Sequence, residues 1–267
     1  PGQIEQIVLK LCVNARDAMP TGGRIVIETH NTCLDEDYAA IHPAARAGGY
    51  VVLCVSDNGA GIPPEIQERV FEPFFSTKGV GEGTGLGLAT VYAIAQRHDG
   101  FVNLYSEPGK GSTFKIYLPV SGEEVAEDSE SAEEHAGRLR GAGETILVAE
   151  DDQQVRELVS RMLRDAGYKV MAARDGQEAG ELFERHADDI EAALLDVVMP
   201  KKNGREVFEL ICAHRPGFPV VFASGYSFDI LNESLLPGAG HILVDKPFVR
   251  SRLLRALQRA LARRTRE

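Results

Sequence analysis

The sequence predicts an α/β protein built from two folded domains and a linker. Residues 1–120 and 144–267 show regular apolar periodicity, whereas residues 121–143 contain almost no large apolar side chains. The last block alternates short apolar strands with amphipathic helical segments, which is typical of a parallel, doubly wound sheet. A length of 267 residues suits two domains, and 43% hydrophobic with 26% charged residues indicates globular domains with buried cores.

The net charge of −11 is unevenly distributed along the chain. It is −4 in the first block, −5 in the linker and −2 in the last block. A nucleic-acid-binding surface is therefore not expected. Cys12, Cys33, Cys54 and Cys212 have neither metal nor disulfide spacing, which is typical of a reducing compartment.

Targeting signals are absent from the sequence given. No apolar run is long enough to span a membrane, and no amino-terminal stretch resembles a signal peptide. A cytoplasmic location is therefore expected. The chain begins at Pro1 inside a helical pattern, so we expect a fragment of a longer parent that could itself be membrane-associated.

Periodicity predicts the order of the secondary structure in both blocks. The first block begins with a helix, whose apolar positions are Ile4, Ile7, Val8 and Leu11. Two strands, a helix entered from glycines and a closing hairpin should follow over residues 24–29, 50–56, 84–97, 101–106 and 113–118. The last block predicts five parallel strands over residues 146–149, 170–172, 192–195, 220–222 and 242–244.

Two polar motifs in the first block are suited to binding a nucleotide. Asn14 lies on an otherwise apolar helix face, and its amide oxygen is a suitable ligand for Mg²⁺. A solvent-facing asparagine is the simpler alternative. Asp57 ends a buried strand and precedes Gly59 and Gly61. Its carboxylate can accept a hydrogen bond from an exocyclic amine, while the glycines let backbone approach a flat base.

Two further motifs contain aromatic residues and glycines. Residues 71–78 are rich in phenylalanine, and residues 81–88 are rich in glycine and lead into a helix. A helix amino terminus can bind phosphates through its free N–H groups, although no Walker-type lysine follows here. The segment between Gly59 and Gly83 suits a mobile lid. Core packing is the alternative for Phe71, Phe74 and Phe75.

In this order, the four motifs resemble the N, G1, F and G2 boxes of the ATP-binding domain of sensor histidine kinases, within the gyrase, Hsp90 and MutL-like ATPases. The resemblance covers residues 1–120 and implies an α/β sandwich. It also implies that Asn14 holds Mg²⁺ with ATP and that Asp57 binds the adenine amine. Lys10 stands where this family usually has a second asparagine, and the family's preceding strands are absent. The other ATP-binding residues implied are Gly59, Gly61, Lys78, Gly83, Thr84, Gly85, Leu86, Gly87 and Ser112.

The last block carries polar residues at the ends of its predicted strands. These residues are Glu150, Asp151, Asp196, Ser224 and Lys246. The carboxyl ends of parallel strands share one edge of the sheet, so the side chains should cluster there. Clustered carboxylates favour bound Mg²⁺, and Asp196 could then attack a phosphoryl group while Lys246 and Ser224 stabilise its charge. Strand-end acids that merely face solvent are the alternative.

This cluster resembles that of response-regulator receiver domains, over residues 144 to about 265. The resemblance implies that Asp196 is the phosphoacceptor. It also implies that Glu150, Asp151, Asp196 and the carbonyl of Val198 hold Mg²⁺. Leu243 stands where the family often has an aromatic residue.

Together, the two domains resemble the hybrid sensor histidine kinases, which act in two-component phosphorelays. In that family, ATP phosphorylates a histidine on a dimeric helical domain, and the phosphoryl group passes to the receiver aspartate. None of the seven histidines here lies in such a context, so the fragment is expected to bind ATP without phosphorylating itself on histidine.

The resemblance also implies the partners of the chain. They are the phosphohistidine-bearing dimerisation domain of the same parent or a phosphotransfer protein. The fragment should be mainly monomeric and the parent dimeric. The alternative is a regulatory phosphoacceptor module whose ATP domain is degenerate, as Lys10 and the absent strands would allow. An ATPase of the gyrase or Hsp90 type is disfavoured, because those functions do not come with a receiver.

Overall fold

The computed structural model describes residues 2–77, 84–120, 140–225 and 242–264. The predicted linker, residues 121–143, falls largely outside these ranges, and so do Lys78 and Gly83. Among the described residues, no helix has the length and apolarity needed to cross a bilayer. All four cysteines are free thiols.

The first domain contains an antiparallel four-stranded sheet, and its two longest helices pack on one face. The strands are β1 (Ile25–Leu34), β2 (Gly48–Asp57), β3 (Phe101–Glu107) and β4 (Gly111–Pro119). They pair in the order β1-β2-β4-β3. The helices along this part of the chain are α1 (Gly2–Asp17), α2 (Glu36–Ile41), α3 (Pro64–Gln67) and α4 (Gly87–Arg97), with a 3₁₀ turn at Arg69–Phe71.

The core of this domain lies between the sheet and helices α1 and α4. Ile7 and Leu11 of α1 and Val91 of α4 are fully buried against residues of β2 and β4, including Val55 and Ile116. Burying each such side chain contributes about 1.5–3 kcal/mol. The predicted α/β sandwich is therefore present, and its layers fix the ends of β2 and β4 beside α1.

Several element bounds differ from the sequence prediction. Strand β1 continues to Leu34 instead of ending at Thr29, because its polar residues pair with the start of β2. Helix α4 begins at Gly87 and not at Thr84, because Gly85 has a φ of +62°, which a helix does not allow. The short helices α2 and α3 were not predicted, since four to six residues carry too little periodicity.

The second domain is the predicted doubly wound sheet. Its strands are β5 (Thr145–Ala149), β6 (Lys169–Ala173), β7 (Ile190–Asp196), β8 (Val220–Ser224) and β9 (Ile242–Asp245). All of them pair in parallel, in the order β6-β5-β7-β8-β9. The described helices are α5 (Gln153–Asp165), α6 (Gly176–His186), α7 (Gly204–His214) and α8 (Arg250–Arg264).

Side-chain caps begin three of these helices close to the carboxyl edge of the sheet. Asp152 accepts backbone N–H bonds of α5, and Asp175 accepts one from α6. Asn203 and Glu206 form a reciprocal capping box on α7. Such caps contribute about 0.5–2 kcal/mol each. They also set the loops that carry the polar strand-end residues.

Candidate functional sites

The first domain contains a cavity of about 620 Å³ between α1, the end of β2 and the start of α4. Each of the four motifs that resemble the N, G1, F and G2 boxes contributes to its lining. Of the residues predicted to bind ATP, the lining includes Asn14, Asp57, Gly61, Thr84, Gly85, Gly87 and Ser112. Gly59 and Leu86 lie next to lining residues without belonging to the lining.

Asp57 provides a buried carboxylate at the end of β2. It lies directly opposite Ser112 of β4, and its Oδ1 accepts the N–H of Gly59 at 2.9 Å. Burial raises the pKa of Asp57, while backbone hydrogen bonds from Gly59 and Ser112 oppose that rise. A carboxylate has about four acceptor positions, so it can accept a ligand's N–H in addition to these two bonds.

Asn14 and the amino terminus of α4 lie next to each other in the lining of the cavity. The side-chain oxygen of Asn14 lies 3.6 Å from the position that a Cβ on Gly87 would occupy. Because α4 begins at Gly87, its free N–H groups and positive dipole end lie at this wall. Lys10, one helical turn before Asn14, also lines the cavity, so this end of it carries a positive charge.

The three phenylalanines of the aromatic motif occupy different environments. Phe71 packs against the core of the domain, as the core-packing alternative proposed. Phe75 lines the cavity. Phe74 is 76% exposed, and its N–H donates to the carbonyl of Gly85 at 2.9 Å. A backbone hydrogen bond therefore joins the aromatic motif to the glycine-rich motif.

Gly61 allows the cavity loop to approach the β3–β4 hairpin. Its φ is +68°, and a Cβ there would collide with the carbonyl of Glu107. Gly109 also has a positive φ, of +79°, but a Cβ there would meet nothing within 4 Å.

This pair of glycines gives a matched prediction. Gly61→Ala should destabilise the first domain by about 1–3 kcal/mol more than Gly109→Ala, because only the former adds overpacking to backbone strain. Hydrogen exchange of β3 and β4 amides against urea concentration in the full chain measures the difference. Equal losses in the two variants would show that the close approach to Glu107 has no energetic weight.

Ser106 and Gln67 support the cavity wall and were not found by sequence reasoning. The N–H of Ile62 donates to Ser106 Oγ at 2.8 Å. The amide nitrogen of Gln67 donates to the carbonyls of Ile62 and Ser106 at 2.8 and 2.9 Å. These are bonds to loop backbone, for which the sequence carries no periodic signal.

The second domain brings the predicted strand-end carboxylates together, and two of them contact one ammonium group. Lys246 Nζ lies 2.6 Å from Glu150 Oε2 and 2.6 Å from Asp196 Oδ2. Carboxylate oxygens of Glu150, Asp151 and Asp196 lie within 4.8 Å of one another. Ser224 is buried at the end of β8, and its backbone carbonyl accepts the backbone N–H of Lys246 at 2.7 Å.

Burial and mutual repulsion govern the charges of this cluster. Burial raises the pKa of Glu150 to about 8, with Asp196 adding to the rise and Lys246 opposing it. Burial also raises the pKa of Asp196, again against the effect of Lys246. Burial alone would lower the pKa of Lys246, but the two carboxylates more than reverse this, so the ammonium stays charged.

The donor set of the cluster fits a hard divalent cation. The cluster contains three neighbouring carboxyl groups, two of which contact the Lys246 ammonium, and their donor atoms are all oxygens, as Mg²⁺ requires. The Val198 N–H donates to Asp196 Oδ1 at 3.2 Å and so ties that carboxylate, at the end of β7, to the loop that follows. The Lys246–Pro247 peptide bond is cis.

Arg156 is a further residue that sequence reasoning missed. Its Nη1 donates to the carbonyl oxygens of Glu150 and Asp151 at 2.7 and 3.0 Å. These bonds tie the acidic loop to α5. An arginine on a helix face gives no sequence signal for such a contact.

Comparisons with known proteins agree with this geometry. Residues 1–122 match the family of histidine kinase-, DNA gyrase B- and HSP90-like ATPases, and residues 146–258 match the response regulator receiver domain. Sensor kinase CckA of Brucella abortus (strain 2308) is 40% identical over 253 residues, which are 92% of this chain and 27% of that protein.

Two further similarities each cover about half of the chain. Sensor histidine kinase ZraS of Klebsiella oxytoca is 37% identical over 127 residues, which are 48% of this chain and 24% of that protein. A solved response regulator receiver domain protein from Clostridium thermocellum is 24% identical with a TM-score of 0.42, covering 46% of this chain and 97% of that one. The chain spans about a quarter of the length of the two curated relatives.

Proposed function

The chain belongs to the hybrid sensor histidine kinases, whose ATPase and receiver domains it joins, and we propose that it binds ATP and accepts a phosphoryl group on Asp196. Its role lies in two-component phosphorelay signalling. The observation that carries the proposal is the buried contact of Lys246 with both Glu150 and Asp196 at the carboxyl edge of a parallel sheet.

In the first domain, the proposed ligand is ATP with Mg²⁺. Asp57 accepts the exocyclic amine of adenine, and the backbone around Gly85 and Gly87 binds the phosphates at the start of α4. Asn14 would hold the cation, and Lys10 favours negative charge at the same wall. Lys78 and Gly83 are proposed phosphate contacts on sequence alone, as they lie outside the described residues.

In the second domain, Asp196 is the proposed nucleophile. A carboxylate oxygen of Asp196 attacks the phosphorus of a phosphohistidine, the P–N bond breaks, and the imidazole leaves. Lys246 and Ser224 stabilise the charge on the transferring oxygens. Glu150, Asp151, Asp196 and the carbonyl of Val198 would hold Mg²⁺. When bound, Mg²⁺ offsets the charge of the phosphoryl oxygens in both domains.

The partners are proposed from the same chemistry. The donor histidine lies on the dimerisation domain of the parent kinase or on a phosphotransfer protein. Residues 121–143 act as the linker between domains 1–120 and 144–267. A cytoplasmic location suits the four free thiols, which persist in reducing compartments.

Calorimetric titration of the full chain with a non-hydrolysable ATP analogue and Mg²⁺ tests the nucleotide part of this proposal. Saturable heat is expected. A regulatory phosphoacceptor with a degenerate ATP domain would instead give no heat of binding while still reacting with acetyl phosphate. The two readouts therefore separate the proposal from its alternative.

Asn14→Ala should lower the affinity for the ATP analogue about tenfold in Mg²⁺, because one ligand of the cation is lost. In EDTA, the variant and wild type should bind within about twofold of each other, since base recognition does not involve Asn14. The same calorimeter measures both conditions. An equal loss with and without Mg²⁺ would assign Asn14 to packing instead.

A further inference from the structure

Ser106 lies outside the lining of the nucleotide cavity but forms hydrogen bonds with two of the lining residues. Its Oγ accepts the N–H of Ile62 at 2.8 Å and lies 2.9 Å from Ser112 Oγ. Its own hydrogen is directed to the carbonyl of Gly111 at 2.9 Å. Ile62 and Ser112 both line the cavity.

The number of hydrogens fixes the direction of the bond between the two serines. A hydroxyl has one hydrogen and two lone pairs. The Gly111 carbonyl can only accept, so Ser106 directs its hydrogen there, and the Ile62 N–H takes one of its lone pairs. Ser112 must then donate to the remaining lone pair. The lone pairs of Ser112 are left for the cavity.

We propose that Ser106 is a positioning residue that fixes the hydroxyl of Ser112 as an acceptor on the cavity wall. This inference rests on the proposed nucleotide function. Ser112 lies directly opposite Asp57 in the sheet, so two acceptors adjoin on this wall. Two adjacent acceptors favour a purine base that has an amine at position 6, because the amine can donate to them. A base with a carbonyl at position 6 would instead place a third acceptor against the carboxylate and the hydroxyl.

Gln67 supports the same wall. Its amide nitrogen donates to the carbonyls of Ile62 and Ser106, so it bridges the loop after β2 and strand β3, which the Ile62–Ser106 hydrogen bond also joins directly. Ser106 is therefore fixed in position as well as in hydrogen direction.

The sheet also supplies a matched control. Thr113 Oγ1 donates to Ser56 Oγ at 2.8 Å, between the same strands β4 and β2 that carry Ser112 and Asp57. Both residues are fully buried, and neither lines the cavity. Removing this bond should cost stability without affecting the base.

Calorimetry of the full chain with Mg²⁺ and either ADP or inosine diphosphate, which carries a carbonyl at position 6, tests the proposal. Ser106→Ala should lower ADP affinity about three- to tenfold and lower the preference for ADP at least about threefold, because Ser112 can then donate into the cavity. Ser106→Thr retains the hydroxyl and should restore the preference. Thr113→Val should keep it within about twofold of wild type.

An unchanged preference in Ser106→Ala, or an equal fall in Thr113→Val, would overturn the role assigned to Ser106. Loss of ADP affinity without a change of preference would also overturn it. If wild type binds neither nucleotide, the proposed function of the first domain fails instead, and the two failures are thus distinguishable.

Discussion

Replacing Asp57 by asparagine is expected to lower ADP affinity about a hundredfold without lowering the stability of the first domain. Backbone N–H groups of Gly59 and Ser112 bond to the carboxylate. In the variant the amide oxygen would take the Oδ1 position, where it accepts the Gly59 N–H, so the amide NH₂ would face the adenine amine, donor against donor. A lost bond to a charged acceptor costs about 1.5–3 kcal/mol, or about 10- to 150-fold.

The stability of this variant follows from the direction of the pKa shift. Burial raises the pKa of Asp57, so the folded domain binds a proton more tightly than the unfolded chain does. This tighter proton binding stabilises the folded domain at pH values below the ordinary pKa of an aspartate. The stabilisation is lost as the pH rises through the raised pKa of Asp57. At pH 7 the buried carboxylate is therefore a cost, and asparagine removes it.

Calorimetry at several pH values measures the binding effect, and urea unfolding of the full chain measures the stability. Wild-type ADP affinity should fall as pH is lowered through the raised pKa of Asp57, whereas the asparagine variant should show little dependence. Asp99→Asn, an exposed change in the same domain, is the control and should leave ADP binding unaffected. Retained ADP affinity in Asp57→Asn would remove Asp57 from base recognition.

Asp196→Asn is expected to reduce phosphorylation of the second domain by acetyl phosphate to background. An amide does not form the acyl phosphate that a carboxylate nucleophile forms. The fold should persist, because Lys246 keeps its 2.6 Å contact with Glu150 and the Val198 N–H keeps an oxygen acceptor.

Intact-mass spectrometry after incubation with Mg²⁺ and acetyl phosphate measures the modification. Asp165→Asn, an exposed change at the end of α5, should react like wild type. Circular dichroism establishes that the Asp196→Asn protein is folded before its reactivity is compared. Persistent modification of the Asp196→Asn variant to the wild-type level would place the phosphoacceptor elsewhere.

The cluster around Lys246 was predictable from sequence because topology alone brings it together. Lys246 lies 96 positions from Glu150 and 50 from Asp196. Each nevertheless follows or ends a strand of one parallel sheet, and the carboxyl ends of such strands share an edge. The alternation of strands and helices is visible in the sequence, and it is enough to predict that these three residues cluster.

The supports of the two sites were not predictable in the same way. Ser106, Gln67 and Arg156 act through backbone carbonyls and N–H groups of loops whose path depends on the finished fold. Loop backbone follows turn geometry and close approaches, such as that of Gly61 to the hairpin, and these leave no periodic pattern. Asn14 was found from its chemical character, but its position next to Gly87 required the packing of α1 beside α4.

The wall of the nucleotide cavity depends on the register of three strands, because Asp57, Ser112 and Ser106 pair across them. It should therefore be sensitive to insertions and deletions that shift this register. The three residues form one row across β2, β4 and β3. Slippage of β4 by a single position would bring Gly111 or Thr113 into that row and turn the Ser112 hydroxyl to the opposite face. The length of the tight turn between Glu107 and Gly111 is thus a determinant of ligand recognition, although the turn itself contacts no base.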